Sequence, residues 1–145
     1  MNEDKNIRGL IRENFSYLIT DYDFVDDPNI DTDDIYSEVR FKKNDWKVSI
    51  VTTNHGTKIS MTLISPKDDV GFLSHYFNIV DHDYKKNESR TKNLRDSLRF
   101  YSDFLRTHGH EILTTDSERL KKILEFIKAE HEKWIKPLMK RHSDV

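Results

Sequence analysis

The residues of this chain whose types and spacing suggest chemistry are the acids of one segment. No Lys or Arg occurs between Arg12 and Arg40, whereas nine Asp and Glu residues fall there. Exposed carboxylates in one patch attract a basic partner and speed the encounter, and aromatic side chains among them supply anchoring contacts. A solvated loop is the simpler interpretation of the segment. The functional interpretation predicts a partner-binding surface made of Asp21, Tyr22, Asp23, Phe24, Asp26, Asp27, Asp31, Asp33, Asp34, Tyr36 and Glu38.

A calcium loop does not account for these acids. An EF-hand places oxygen ligands at positions 1, 3, 5 and 12 and a glycine at position 6. Counted from Asp21, position 5 is Val25 and position 6 is Asp26, and counted from Asp31, position 5 is Ile35. We therefore predict no metal ion here and no cofactor elsewhere.

The histidines give a weaker signal. His108 and His110 flank Gly109, and His82 lies between two aspartates. A zinc site uses three or four converging ligands, but the chain has no cysteine and no HExxH spacing. Surface or helix-end histidines are the favoured interpretation, and a metal-dependent enzyme using His82, His108 and His110 remains a third hypothesis.

Other catalytic signatures are missing from the sequence. There is no GxSxG elbow and no cysteine nucleophile, and the four scattered glycines do not form a phosphate-binding loop. The prediction is therefore a protein without catalytic residues that is not an enzyme.

A basic region contrasts with the acidic one. Residues 85–106 contain seven Lys and Arg but three Asp and Glu. Nucleic-acid binding requires a coherent basic patch, whereas these bases alternate with predicted core positions and the net charge is -2. The alternative function is a small regulatory or adaptor protein, associated with nucleic acid through this basic helical side.

Length and composition indicate the number of domains and the cellular compartment. Its 145 residues match one domain, and its aromatic content of 11% can build a core. The absence of cysteine favours a reducing compartment, and no signal peptide or membrane-spanning apolar run is evident. We expect one cytoplasmic domain over residues 1–145.

The elements that must position the acids form an α+β fold. An amphipathic helix over residues 4–19 precedes the acidic segment, and a three-stranded antiparallel meander over Tyr36–Ile64 follows it. The predicted turns are Lys43-Asn44-Asp45 and Asn54-His55-Gly56. The alternating apolar residues that should face the core are Val39, Phe41, Trp46, Val48, Ile50, Ile59, Met61 and Leu63.

Helices dominate the rest of the chain and should pack on one face of the sheet. Gly71–Val80 is a helix or a fourth strand, with the helix favoured, and a mobile polar connection should follow. The spacing predicts a helix over Leu94–His108, ended by Gly109 at the C′ position. Residues 115–118 match a capping box that starts a last helix, and Pro137 should kink or end it.

The order of these elements resembles small bacterial immunity proteins of polymorphic or contact-dependent toxin systems. The resemblance lies in the helix end FSYLITDYDF, the meander, and the helical stretch LRFYSDFLRTHGHEILTTDSERLKKI. It covers most of the chain as a pattern and assigns no specific immunity family. It implies a non-enzymatic inhibitor that binds one cognate toxin domain, for which a basic nuclease is a fitting class.

Overall fold

The computed structural model describes the backbone of residues 2–27, 36–53, 58–81 and 83–143, and the side chains of residues 7–27, 37–53, 58–81 and 83–133. The elements follow the predicted order of helix, sheet and helices, which confirms the α+β class. They are α1 (Asn2–Phe15), α2 (Tyr17–Thr20), β1 (Val25–Asp27), β2 (Tyr36–Lys43), β3 (Trp46–Thr53), β4 (Lys58–Ile64), β5 (Val70–Phe72), α3 (Leu73–Val80), α4 (Tyr84–Glu88), α5 (Leu94–His108), α6 (His110–Thr114) and α7 (Ser117–Ser143).

Within the described ranges the sheet has five antiparallel strands in the order β1-β2-β3-β4-β5, more than the three or four predicted. The two additional strands are three residues long and lie at the edges. Lys43 pairs with Trp46, and Asn44 and Asp45 between them have φ of 52° and 68°. Positive φ at both central residues is the geometry of a two-residue type I′ turn, so the first predicted turn is confirmed. The second, at residues 54–57, lies outside the described residues.

The core lies between one face of the sheet and the helices. Alternate residues of β2, β3 and β4 are buried there with the apolar faces of α1, α5 and α7. Trp46 is buried in this core, and its indole Nε1 donates a 2.9 Å hydrogen bond to Ser117 Oγ at the start of α7. Ile59 is only partly buried, and the other sheet residues predicted to face the core are buried, namely Val39, Phe41, Trp46, Val48, Ile50, Met61 and Leu63.

Residues 71–80 combine the two predicted alternatives, because a short strand leads directly into a helix. Gly71 pairs with Leu63 in the sheet, and α3 begins two residues later. A Cβ at Gly71 would lie 2.6 Å from Leu124 Cδ1 and 2.9 Å from Ile127 Cγ2 of α7. The glycine therefore allows α7 to approach this edge of the sheet closely.

The polar connection after α3 contains a short helix that packs on the core through one aromatic residue. Tyr84 begins α4 and is 1% exposed. Its ring lies 4.8 Å from that of Phe104 and 5.5 Å from that of Phe77, between centroids. Burial of one large ring outweighs the polarity of the flanking residues.

The boundary between α5 and α6 and the start of α7 lie where the sequence predicted them, but the capping interactions differ from those expected. α5 has the predicted bounds, yet Gly109 has φ of -98° and not a left-handed conformation. Glycine is needed there because a Cβ would lie 2.6 Å from the carbonyl oxygen of Leu105. Asp116, and not Thr115, caps α7 by accepting from the backbone N–H of Arg119. α7 continues past Pro137 to Ser143, so the helix does not end at the proline.

None of the helices in the described part of the chain is both long enough and apolar enough to cross a membrane.

Candidate functional site

Part of the acidic segment lies at the corner where α2 turns into β1. Asp21 and Asp23 are exposed there, and Asp26 is half-buried. Asp21 Oδ2 lies 3.2 Å from Arg106 Nη2 of α5, and Asp26 Oδ2 lies 2.7 Å from Arg12 Nε of α1. These are surface ion pairs, which contribute little to stability and are weakened by salt.

Asp23 is held at φ of 64°, a left-handed conformation in which aspartate and asparagine are favoured among residues with a side chain. The chain reverses at this point, and the backbone N–H of Phe24 donates to the carbonyl of Leu18 at 2.9 Å. The reversal brings the start of β1 back to the end of α2.

Two apolar side chains are exposed in the same stretch of chain, and Val25 points to the sheet face opposite that of Asp26, whose register partner is the core residue Phe41. Ile19 of α2 is 44% exposed and Val25 of β1 is 59% exposed. We refer to Ile19, Asp21, Asp23, Val25 and Asp26 as the acidic corner. It contains the exposed carboxylates of Asp21 and Asp23 and two exposed aliphatic side chains, of which Val25 lies on the edge strand β1.

Asp27 and Glu38 are buried, so the prediction of one continuous exposed surface is wrong for them. Asp27 is 8% exposed and its carboxylate lies 3.4 Å from Lys47 Nζ. Glu38 is 3% exposed and accepts hydrogen bonds from Arg40 Nε and Ser49 Oγ. Both acids point to the sheet face opposite the core, where side chains of neighbouring strands surround them and satisfy their charge.

The predicted aromatic anchors are largely engaged within the protein. Phe24 is 5% exposed, and Lys43 Nζ lies 5.5 Å from its ring centroid. Tyr22 is half-buried, with its hydroxyl 3.1 Å from His110 Nδ1. Tyr36 belongs to β2, but its side chain is outside the described residues, as are Asp31, Asp33 and Asp34.

The basic residues of the 85–106 region lie mostly on the surface. Arg90, Lys92, Arg95 and Arg99 are exposed, and no ion pair to them occurs among the described residues. Arg106 instead pairs with Asp21 and lies over the Tyr17 ring at 4.8 Å. The basic side therefore splits, and one of its members stabilises the acidic corner.

The histidines selected from the sequence do not come together. His108 packs on Phe104 at 4.5 Å between ring centroids, and His110 contacts Tyr22. His82 lies outside the described residues. Within the ranges that the structure describes, no group of three or more His, Cys, Asp or Glu side chains is arranged to hold a metal ion.

A different histidine pair lies at a cavity of about 450 Å³ between the sheet and the helices. His75 of α3 places Nε2 3.0 Å from Nδ1 of His131 in α7. Burial, followed by the nearby His131, lowers the pKa of His75 below its usual value. The pair joins residues 56 positions apart, so no sequence spacing indicated it.

Two tyrosines and a glutamate line the same cavity. Tyr101 donates a 2.6 Å hydrogen bond to Glu88 Oε2. Burial is the main cause that raises the pKa of Tyr84 and of Tyr101, so both phenols stay neutral. The cavity therefore presents two neutral phenols and aromatic rings, together with the imidazole pair and the side chains of Lys85 and Glu88.

Comparison with family models, with curated proteins and with solved structures found no match to this chain. What the chain does is therefore inferred from its own residues. Two regions differ in their chemistry: the acidic corner carries exposed carboxylates, and the cavity carries a pair of imidazoles.

Proposed function

We propose that this chain is a non-enzymatic binding protein that neutralises a cognate toxin domain, in the manner of an immunity protein, through the acidic corner. The observation that carries the proposal is the exposure of Ile19, Asp21, Asp23 and Val25 within the short stretch that joins α2 to β1. Exposed apolar groups close to charged groups provide an anchor and a steering field for a partner. A nuclease is a fitting target, because its substrate-binding cleft is basic.

The surface ion pairs of the corner are compatible with this role. Asp21 and Asp26 are paired with arginines that are themselves 58% and 45% exposed in their side chains. A partner that brings its own Lys or Arg can exchange with these pairs at little cost, because exposed pairs contribute only about 0–1 kcal/mol. Asp23 has no such pair among the described residues and offers its carboxylate directly.

The edge position of Val25 adds a second mode of contact. β1 pairs with β2 on one side and is the first strand in the sheet order. An edge strand offers backbone N–H and C=O groups to which a partner strand can bind. Such pairing would place the partner beside Val25 and the flanking aspartates.

The deciding experiment is binding and inhibition by the purified chain against the protein domains encoded directly beside it in its genome. We expect a stoichiometric complex with one such domain, loss of that domain's activity, and an association rate that falls steeply with salt. The proposal is wrong if none of these domains binds, or if the chain binds one without inhibiting it.

Neutralising variants locate the surface. D21N/D23N/D26N removes three charges, and asparagine keeps the left-handed conformation at position 23. E118Q/E125Q/E132Q removes three charges from exposed positions of α7 and serves as the matched control. The first set should slow association about tenfold or more at low salt, whereas the control should leave it nearly unchanged. Equal effects would place the interface elsewhere.

The apolar anchor is tested separately. V25S should speed dissociation, and V70S on the opposite edge strand, where Val70 is 48% exposed, is its control. Both substitutions affect exposed side chains, so the free energy of unfolding should change by no more than about 0.5 kcal/mol.

A further inference from the structure

The imidazoles of His75 and His131 meet at the cavity from two different helices. Their ring planes are inclined by 65°, and the nearest nitrogens are 3.0 Å apart. Both residues are half-buried and line the cavity. Neutral imidazole is the form that binds metal ions.

The separation of the nitrogens suits two ligands in neighbouring positions around one ion. With metal–nitrogen bonds of about 2.0–2.1 Å, nitrogens 3.0 Å apart subtend about 91–97° at the metal. That angle is close to the cis angle of square-planar or octahedral coordination, which Cu²⁺ and Ni²⁺ prefer. A tetrahedral Zn²⁺ would require the nitrogens to separate to about 3.3 Å.

We propose that His75 Nε2 and His131 Nδ1 form a two-histidine site for a divalent transition-metal ion of the Ni²⁺ or Cu²⁺ type, open towards the cavity. Water, or an oxygen ligand entering the cavity, completes the coordination. On binding, the hydrogen between the two nitrogens moves to the other ring nitrogen of its donor, so two neutral imidazoles ligate without net proton release. The site is independent of the acidic corner.

The cavity provides a suitable surrounding for the open positions. Ser74 and Asn78 lie on the same helix as His75, and Ser60 lies on β4, and all three line the cavity. Their oxygen atoms can accept or donate hydrogen bonds to metal-bound water. Such second contacts orient the ligands of a metal site.

The test uses the full chain without a histidine tag, titrated with Ni²⁺ and with Cu²⁺. We expect one ion per chain and a rise of the thermal midpoint, because the ion links α3 to α7 in the folded state only. H75Q and H131Q should each abolish the midpoint rise with Ni²⁺. H110Q, which removes the imidazole beside Tyr22, is the matched control and should keep it.

An electron paramagnetic resonance spectrum of the unmodified chain tests the site even if the variants do not fold. One equivalent of Cu²⁺ should give an electron paramagnetic resonance signal split by two imidazole nitrogens. The proposal is overturned by a signal without that splitting, by Ni²⁺ binding that survives H75Q and H131Q in folded protein, or by the absence of binding.

Discussion

Tyr17 and Ser102 join the N-terminal helices to α5 through two hydrogen bonds. The Tyr17 hydroxyl donates to the carbonyl oxygen of Ser102 at 2.8 Å, and Ser102 Oγ donates to the carbonyl oxygen of Asn14 at 2.6 Å. Both side chains are buried, so neither bond is replaced readily by water. The pair closes a loop of 85 positions along the chain.

Removing either bond should destabilise the fold. We expect Y17F and S102A each to lower the free energy of unfolding by about 1 kcal/mol, the usual net value of such a bond. Because both bonds join the same elements, the double variant should lose less than the sum of the two single losses. Urea unfolding of the four proteins measures the coupling, and strict additivity would show that the bonds act separately.

Two glycines should respond to alanine with opposite signs. At Gly71 the added Cβ would lie within 3 Å of Leu124 and Ile127 side chains, so G71A should cost about 1–3 kcal/mol through overpacking. At Gly9, exposed on α1, nothing lies within 4 Å, and G9A should gain about 0.5–1 kcal/mol. Denaturant midpoints measure both, and a stabilised G71A would contradict the close approach of α7.

The buried carboxylate of Glu38 should contribute to the free energy of unfolding. E38Q removes the charge that accepts from Arg40 and Ser49, and it should lower the free energy of unfolding by about 1–3 kcal/mol. D45N is the control, since Asp45 is 76% exposed in its side chain and lies 3.7 Å from Lys42, and its effect should stay within about 0.5 kcal/mol. Comparable losses in both variants would contradict the buried position of Glu38.

Alkaline pH should unfold the protein through its buried phenols. Burial raises the pKa of Tyr17, Tyr84 and Tyr101 above the ordinary value near 10. Their contribution to stability is therefore complete below about pH 10, where the unfolded chain begins to ionise, and is lost as the pH rises further. Above that point the free energy of unfolding should fall by up to about 1.4 kcal/mol per pH unit for each tyrosine that stays neutral in the fold.

Unfolding curves at several alkaline pH values, recorded together with phenolate absorbance, check this expectation. The buried tyrosines should ionise with the unfolding transition and not before it. Gradual ionisation of all tyrosines in the folded protein would contradict the burial assigned to them.

Replacing Asp45 in the turn between β2 and β3 with glycine should stabilise the protein. Asp45 has φ of 68°, and glycine adopts that conformation without steric cost. We expect D45G to stabilise the protein by about 1 kcal/mol, since the strain of the left-handed conformation is relieved. A loss of stability on thermal unfolding would mean that the pair of Asp45 with Lys42 outweighs the strain.

The sequence predicted features that depend on neighbouring residues and failed for those that depend on distant ones. The alternation of Trp46, Val48 and Ile50 and the Asn44-Asp45 turn are local signals, and the structure confirms both. The burial of Tyr84 could not be predicted from hydrophobic periodicity, because this aromatic residue is a core residue in an otherwise polar stretch of sequence.

The candidate sites show the same limit. Alternation placed Glu38 on the outer sheet face, but its burial also depends on Ser49 of the neighbouring strand β3, which donates a hydrogen bond to it beside that of Arg40 from its own strand. The contact of His75 with His131 exists only because α3 and α7 pack together. A cluster of acids in sequence is therefore weak evidence for a cluster of exposed charge in space.

The strictly sequential strand order has a consequence for folding kinetics. Each strand pairs with its neighbour along the chain, so the sheet has a low contact order and its hairpins can form one after another. The long-range closures are those of the helices, such as Tyr17 with Ser102 and Trp46 with Ser117. We therefore expect the meander to form early in folding. The docking of α5 and α7 should then determine the rates of folding and unfolding of the whole domain.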